Sequence, residues 1–355
     1  MNRIEILRGK LPENACALIT SDVNRRYFTG MKSSAGTLVI FKKNAYLIID
    51  SRYFEKASDI VTDCDVILQK RLYEQISELI AENHAECVWV ESDTLTLSDF
   101  AALRENIKGA GSFNSSSDLS RIISEMRMIK TDEEIKLIKH AQRIAEYALQ
   151  ETLNFIKEGV TEKEIALTLN NYMLRNGADD LSFETIALCG STTSMPHGVP
   201  SERTVKKGDF VLMDFGAVYE GYHSDMTRTV AVGDVSEEME KVYSVVLEAQ
   251  NRAINAAAEG ITGKRLDQVA RDFISANGYG DYFGHGLGHC VGMEIHEAPC
   301  ANTRDETVLR ENMVITVEPG IYLPKKFGVR IEDFVVIKQN SCYNLTNAPK
   351  NLIKL

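Results

Sequence analysis

The stretch FVLMDFGAVYEGYHSDMTRT, residues 210–229, decides how the rest of the chain is read. A hydrophobic run, Phe210 to Met213, ends on an acid, Asp214; a polar turn around Tyr219, Glu220 and Gly221 follows, and Asp225 opens a second strand-like run. A hairpin centred between 219 and 220 sets Asp214 directly opposite Asp225, and directly paired residues hold their Cβ atoms about 4.5–5.5 Å apart on one sheet face. Two carboxylates held that close require a cation.

A second acidic pair repeats the pattern: Glu318 ends Met313 to Val317, and Glu332 closes Val329-Arg330-Ile331-Glu332. The recurrence extends further. His197-Gly-Val-Pro200 returns as His296-Glu-Ala-Pro299 at an offset of 99 (197 to 296), Asp214-Phe215-Gly216 as Glu318-Pro319-Gly320 at 104 (214 to 318), and Gly177 as Gly278 at 101. Capping boxes Thr131-x-x-Glu134 and Thr161-x-x-Glu164 predict helices running to about Lys157 and to Gly177, followed by strands over 209–215 and 224–232. Helices starting near Ser236 and Thr262, the later closed at Gly278, then precede strands over 313–317 and 329–337. A duplication that keeps chemistry as well as element order predicts two halves about a pseudo-two-fold axis, with four acids converging on it. Four clustered carboxylates repel one another unless a charge of about +4, such as two divalent ions, neutralises them.

Five of the seven histidines, His197, His223, His285, His289 and His296, fall within this region. Gly284-His285-Gly286-Leu287-Gly288-His289 is rich enough in glycine to bring backbone close to a site. It is no phosphate loop, since neither a Lys-Ser/Thr pair nor a helix follows. Spacing alone leaves open which histidine binds metal. Cys290, beside His289, is expected on the opposite strand face.

The chain's 355 residues exceed one ordinary domain of roughly 100–200 residues. Residues 1 to about 120 alternate strand-like runs (15–19, 37–41, 45–49, 87–90) with helical stretches, which predicts a separate α/β domain. The Gly/Ser-rich segment Gly109 to Asp118 favours neither helix nor strand, so the boundary is placed near it, giving domains 1–122 and 123–355. A net charge of −11 without a basic cluster argues against nucleic acid. No apolar run approaches the roughly 20 residues that span a bilayer, and the charged start of the chain does not read as a signal peptide. Seven scattered cysteines without a Cys-x-x-Cys pair suggest free thiols in a cytoplasmic protein.

Six motifs carry a resemblance: Met213-Asp214-Phe215-Gly216-Ala217, Ser224-Asp225-Met226-Thr227-Arg228-Thr229, Gly288-His289-Cys290-Val291-Gly292, His296-Glu297-Ala298-Pro299, Glu318-Pro319-Gly320-Ile321-Tyr322 and Gly328-Val329-Arg330-Ile331-Glu332-Asp333. They resemble the pita-bread metallopeptidases, the superfamily of aminopeptidase P, prolidase, methionine aminopeptidase and the metal-free creatinase; Asn24 to Gly30 looks like the creatinase-type N-terminal segment. The resemblance implies an α/β creatinase-like N-terminal domain and an α+β pita-bread catalytic domain with an internal pseudo-two-fold duplication. It implies two divalent ions per chain, with Asp214 on one, Asp225 and Glu332 on both, and His289 with Glu318 completing the second. His289 is preferred to His285 because the family's ligand precedes the His-Glu-x-Pro histidine by seven residues. Oxygens plus one imidazole favour Mn, Co or Fe over a thiolate-rich zinc site; Mn is expected first, with Co, Fe or Zn as alternatives.

By the same resemblance Glu318 carries a proton between the attacking water and the leaving nitrogen, while His197 and His296, with His285 nearby, bind substrate. Arg330, two residues from Glu332, is expected to fix that carboxylate, and Thr227 to fix Asp225. The implied activity is a dinuclear-metal exopeptidase cleaving the Xaa-Pro bond at peptide N-termini, an Xaa-Pro aminopeptidase. An Xaa-Pro dipeptidase (prolidase) is the alternative. No basic residue follows Pro299 until Arg304, which favours Xaa-Pro-Yaa peptides; in a dipeptidase Arg304 would anchor the proline carboxylate. A catalytically inactive pita-bread binding protein is the reading of another class, but its sign, lost ligands, is absent. The family's proline-directed branch also implies a homodimer.

Overall fold

Ala15–Ile19 is buried along its whole length, as a continuous apolar run should be when it lies at the centre of a sheet covered on both faces. In the computed structural model, which describes residues 2–355, the N-terminal sheet has six strands ordered Asp65–Leu68, Ala45–Ile49, Thr37–Ile40, Ala15–Ile19, Cys87–Val90 and Ser112–Asn114. Thr37–Ile40 pairs antiparallel with both of its neighbours, and the remaining pairings, reached through helices, are parallel. The two edge strands depart from the sequence reading, which places no strand at 65–68 and neither helix nor strand over 109–118. Such short edges are held by the ladder to a neighbour rather than by their own composition.

The chain divides into two compact units after Arg127. In the second, each half supplies a helix pair and a sheet. Asp132–Phe155 and Glu162–Arg175, each opened by its capping box, lay Ala148, Leu149, Ile165 and Leu169 against Val211 and Met213. Glu237–Ala256 and Gly263–Ala276, capped by Ser236 and Thr262, lay Val246, Ala249, Leu266 and Ala270 against Ile315 and Val317. The first sheet orders Met226–Ala231, Phe210–Phe215 and Ile186–Cys189; the second orders Glu297–Ala301, Gly288–Cys290, Val314–Val317, Asp333–Ile337 and Cys342–Asn344. This is the duplicated α+β architecture that the recurrent motifs predict. Among the described residues, no helix is long and apolar enough to cross a membrane.

Two details differ from the sequence reading, and both bear on the site. The hairpin turns one residue later than expected: Glu220 and Gly221 take φ of 46° and 81°, as a two-residue primed turn requires. Asp214 therefore pairs with Thr227, not Asp225. A two-residue shift keeps both acids on one face, diagonally related. Gly216 permits the crossing, because a Cβ there would lie 1.9 Å from the Ser224 carbonyl oxygen. The strand expected over 329–337 is in fact two: Phe327–Arg330 pairs with Gly320–Leu323, and Asp333–Ile337 pairs with Val314–Val317. Glu332 sits at the switch between them.

Candidate metal centre

Each candidate acid occupies the corresponding place in its half. Asp214 lies near the end of the central strand of the first sheet, and Glu318 immediately follows that of the second; Asp225 and Glu332 each precede a flanking strand. His289 projects from Gly288–Cys290. The five side chains line one cavity of about 560 Å³ together with His197, His285 and His296. Ligand atoms of Asp225, His289 and Glu332 lie within 4.8 Å of one another, and His289 Nε2 is 3.5 Å from both Asp225 Oδ2 and Glu318 Oε1. Its Nδ1 is 3.1 Å from the Cys290 carbonyl oxygen, so the proton belongs there and the Nε2 lone pair faces the acids.

The supporting hydrogen bonds run differently from the sequence reading. Thr227 Oγ1 donates to Glu332 Oε2 at 2.7 Å, not to Asp225. Arg330 binds Asp214 rather than Glu332: Nη2 donates to Asp214 Oδ2 at 2.6 Å, Nε to Thr227 Oγ1 at 3.0 Å and Nη1 to the Tyr322 hydroxyl at 2.7 Å. The later turn brings Thr227 beside Asp214, and the chain switch at Glu332 breaks the alternation on which the expected Arg330–Glu332 contact depended. His285 is internally committed. Its Nδ1 lies 2.7 Å from the Gly286 carbonyl and its Nε2 2.9 Å from the Tyr322 hydroxyl. The ring can face a ligand, but its nitrogens are occupied.

Two contributors have no role assigned from the sequence. Thr316 Oγ1 donates to Glu318 Oε1 and accepts from the His289 amide, and Tyr322 bridges Arg330 to His285; Thr316 lies within the strand run Met313 to Val317, and Tyr322 closes the motif that begins at Glu318. Phe183, Ile186, Pro196 and Ile295 give the cavity an apolar wall. His223 and Cys290 are not among its lining residues, and burial pushes the Cys290 thiol up to about 12.

Electrostatically the cavity is an anion cluster short of countercharge. Burial, then Asp214 and Glu318, hold the Asp225 carboxyl well above the usual range; burial, then Asp225, Glu318 and Asp214, do the same to Glu332. Glu318 is pushed up to about 8, first by burial. Asp214 Oδ1 and Glu332 Oε1 are buried without a hydrogen-bond partner among the described residues, although buried carboxylate oxygens are ordinarily satisfied. Burial, then the neighbouring His296, lowers His289 to about 4, which keeps the imidazole neutral, as a ligand must be. Partnerless oxygens, mutually repelling acids and one neutral imidazole fit divalent cations.

Comparison with known proteins points the same way. The model of metallopeptidase family M24 matches residues 136–339, and that of the creatinase/prolidase N-terminal domain residues 3–129. The chain is 40% identical to an Xaa-Pro dipeptidase of Pyrococcus furiosus over 99% of both chains. Among solved structures it resembles an Xaa-Pro dipeptidase from Bacillus anthracis (41% identity, TM-score 0.95, 99% of each chain). It also resembles an X-Pro aminopeptidase from Thermotoga maritima (38% identity, TM-score 0.91, 98% of this chain and 100% of the other).

Proposed function

The chain belongs to metallopeptidase family M24, with a creatinase-type N-terminal domain and a pita-bread catalytic domain, and from that premise we propose that it is an Xaa-Pro dipeptidase using two divalent ions. The observation that carries this reading is the convergence of Asp214, Asp225, His289, Glu318 and Glu332 on one cavity, with buried carboxylate oxygens left unsatisfied. Mn is the metal proposed, with Co, Fe or Zn as alternatives.

Divalent ions held by Asp214, Asp225, His289, Glu318 and Glu332 would lower the pKa of a bound water and polarise the scissile carbonyl. The protein's own groups do the remainder. Glu318, set by Thr316, takes the water's proton and returns it to the proline nitrogen as the bond breaks. His197 and His296 orient the peptide and donate to the developing oxyanion. Arg330 and Thr227 keep Asp214 and Glu332 in fixed rotamers, and Phe183, Ile186, Pro196 and Ile295 offer an apolar wall to the proline ring. Because His197 acts on substrate, His197→Ala should keep its metal content yet lower kcat by roughly 10²-fold, the scale of one oxyanion donor. Elemental analysis of the variant decides this; loss of a metal equivalent would move His197 into the ligand set.

The sequence alone puts Xaa-Pro-Yaa peptides first; near full-length similarity to Xaa-Pro dipeptidases reverses that order. A feature of the cavity supports the reversal. A smaller recess shares His285, Gly286 and Asn302 with the metal cavity and adds Arg271 and Arg304. Arg271 is already paired twice with Asp267, which leaves the exposed Arg304 to receive a carboxylate. The aminopeptidase reading keeps one argument of its own, since among the described residues the only Lys or Arg lining the metal cavity is Arg330, and that side chain binds Asp214. The test compares kcat/KM for Ala-Pro and Ala-Pro-Ala. Ala-Pro should be preferred, and Arg304→Ala should raise its KM about tenfold with little change in kcat, the pattern of lost uniform binding. Equal or better cleavage of Ala-Pro-Ala would make the enzyme an aminopeptidase.

The same reading includes a cytoplasmic compartment, which suits seven free thiols, and a homodimer. Sedimentation should give twice the 39.7 kDa chain mass; a monomer at working concentration would exclude the dimer.

A further inference from the structure

His289 and His296 meet edge to face, ring centroids 4.4 Å apart, and the backbone between them is tied to its neighbours at its start, where Val291 donates to the Val314 carbonyl and the Gly292 carbonyl accepts from His223. It leaves the strand Gly288–Cys290, runs through 291–296 without helix or strand, and rejoins the sheet at Glu297–Ala301 with a register shift beside His289. Beyond Gly292 the side chain of Glu297 organises the crossing. Its Oε1 accepts from the amides of Met293 and Glu294 at 3.0 and 3.2 Å, and its Oε2 receives Lys130 Nζ at 2.9 Å, with both side chains buried. The carboxylate lies so close against Gly292 that a Cβ there would fall 2.6 and 2.7 Å from its oxygens. Lys130 is anchored in turn, its amide donating to the Asn312 carbonyl just ahead of the cap at Thr131.

We propose that Lys130 and Glu297 act as one buried clamp that sets His296 against His289 and so aims it at the substrate, making both of them positioning residues. This rests on the assignment of His296 to substrate. A buried carboxylate needs a countercharge to stay ionised, and only an ionised, fixed Glu297 holds both amides and the cation together. The chain through Gly292 to Glu294 then has one path, and His296, directly bonded to Glu297, inherits its position.

The test uses full-length, Mn-loaded protein with Glu297→Gln, Lys130→Met, the double variant Lys130→Met/Glu297→Gln, and His296→Ala. Glutamine keeps an acceptor for the two amides, and the double variant removes both charges of the Lys130–Glu297 pair together. The clamp predicts that Glu297→Gln and the double variant keep full metal content and near-normal KM for Ala-Pro but lose roughly 10- to 100-fold in kcat, the usual reach of an outer supporting group. The double variant should be no worse than the poorer single, as for two members of one unit. Losses that multiply, or a lost metal equivalent in Glu297→Gln, would overturn the clamp. Normal kcat in the double variant alongside a crippled His296→Ala would also overturn it while sparing the function, whereas undiminished turnover in His296→Ala would remove the assignment on which it rests.

Discussion

Glu332→Gln, and equally Asp225→Asn, should lower kcat on Ala-Pro by on the order of 10³-fold or more, about 4 kcal/mol of lost transition-state stabilisation. Each change is nearly isosteric, so the cavity keeps its shape and loses one anionic ligand from a group whose ligand atoms lie within 4.8 Å of one another. For Glu332 the neighbours sharpen the argument. Thr227 donates to one oxygen, and the other is buried without a partner; a carboxamide turned to suit Thr227 would present its NH₂ to the space meant for a cation. Elemental analysis should show reduced metal occupancy in both variants. Full turnover of either at saturating Mn would remove these residues from the ligand set.

Element order, the duplication and the membership of the acid cluster are legible in the sequence because they depend on local patterns: helix caps at Thr131 and Thr161, apolar runs ending in acids, and motifs that recur in order. What is not legible is register. The position of one positive-φ pair, Glu220 and Gly221, moves Asp214 from Asp225 to Thr227, and a switch between two strand pairs at Glu332 reassigns Arg330 to Asp214. Alternation along a strand predicts faces, but it fails where a chain changes sheets. The same limit hides Tyr322 and Thr316, whose hydroxyls matter only once the fold brings Arg330, His285 and Glu318 beside them. Ser112–Asn114 escapes notice for a related reason, since pairing with Cys87–Val90 makes it a strand.

Removing the metals should abolish turnover and, independently of turnover, change how stability responds to pH. In the metal-free chain Glu318 is raised to about 8, and Asp225 and Glu332 also stand well above the ordinary range. A carboxyl raised in the folded state is protonated more readily there than when unfolded. Its contribution is therefore fully present below the unfolded value, near 4, and is lost as pH rises through the folded one. The chelated protein should thus melt several degrees lower at pH 9 than at pH 6, as the acids ionise against one another without a countercharge. Reloading with Mn should raise the melting midpoint most at the alkaline end and flatten the profile, because bound cations keep the same carboxylates ionised throughout. Binding must then expel the protons those acids held, so calorimetric titration of the apo chain near pH 7 in buffers of different ionisation enthalpy should register proton release. Turnover should return with about two equivalents of Mn. An apo midpoint unchanged from pH 6 to 9, no proton release and full activity after exhaustive chelation would together exclude a cation-neutralised acid cluster as the seat of the reaction.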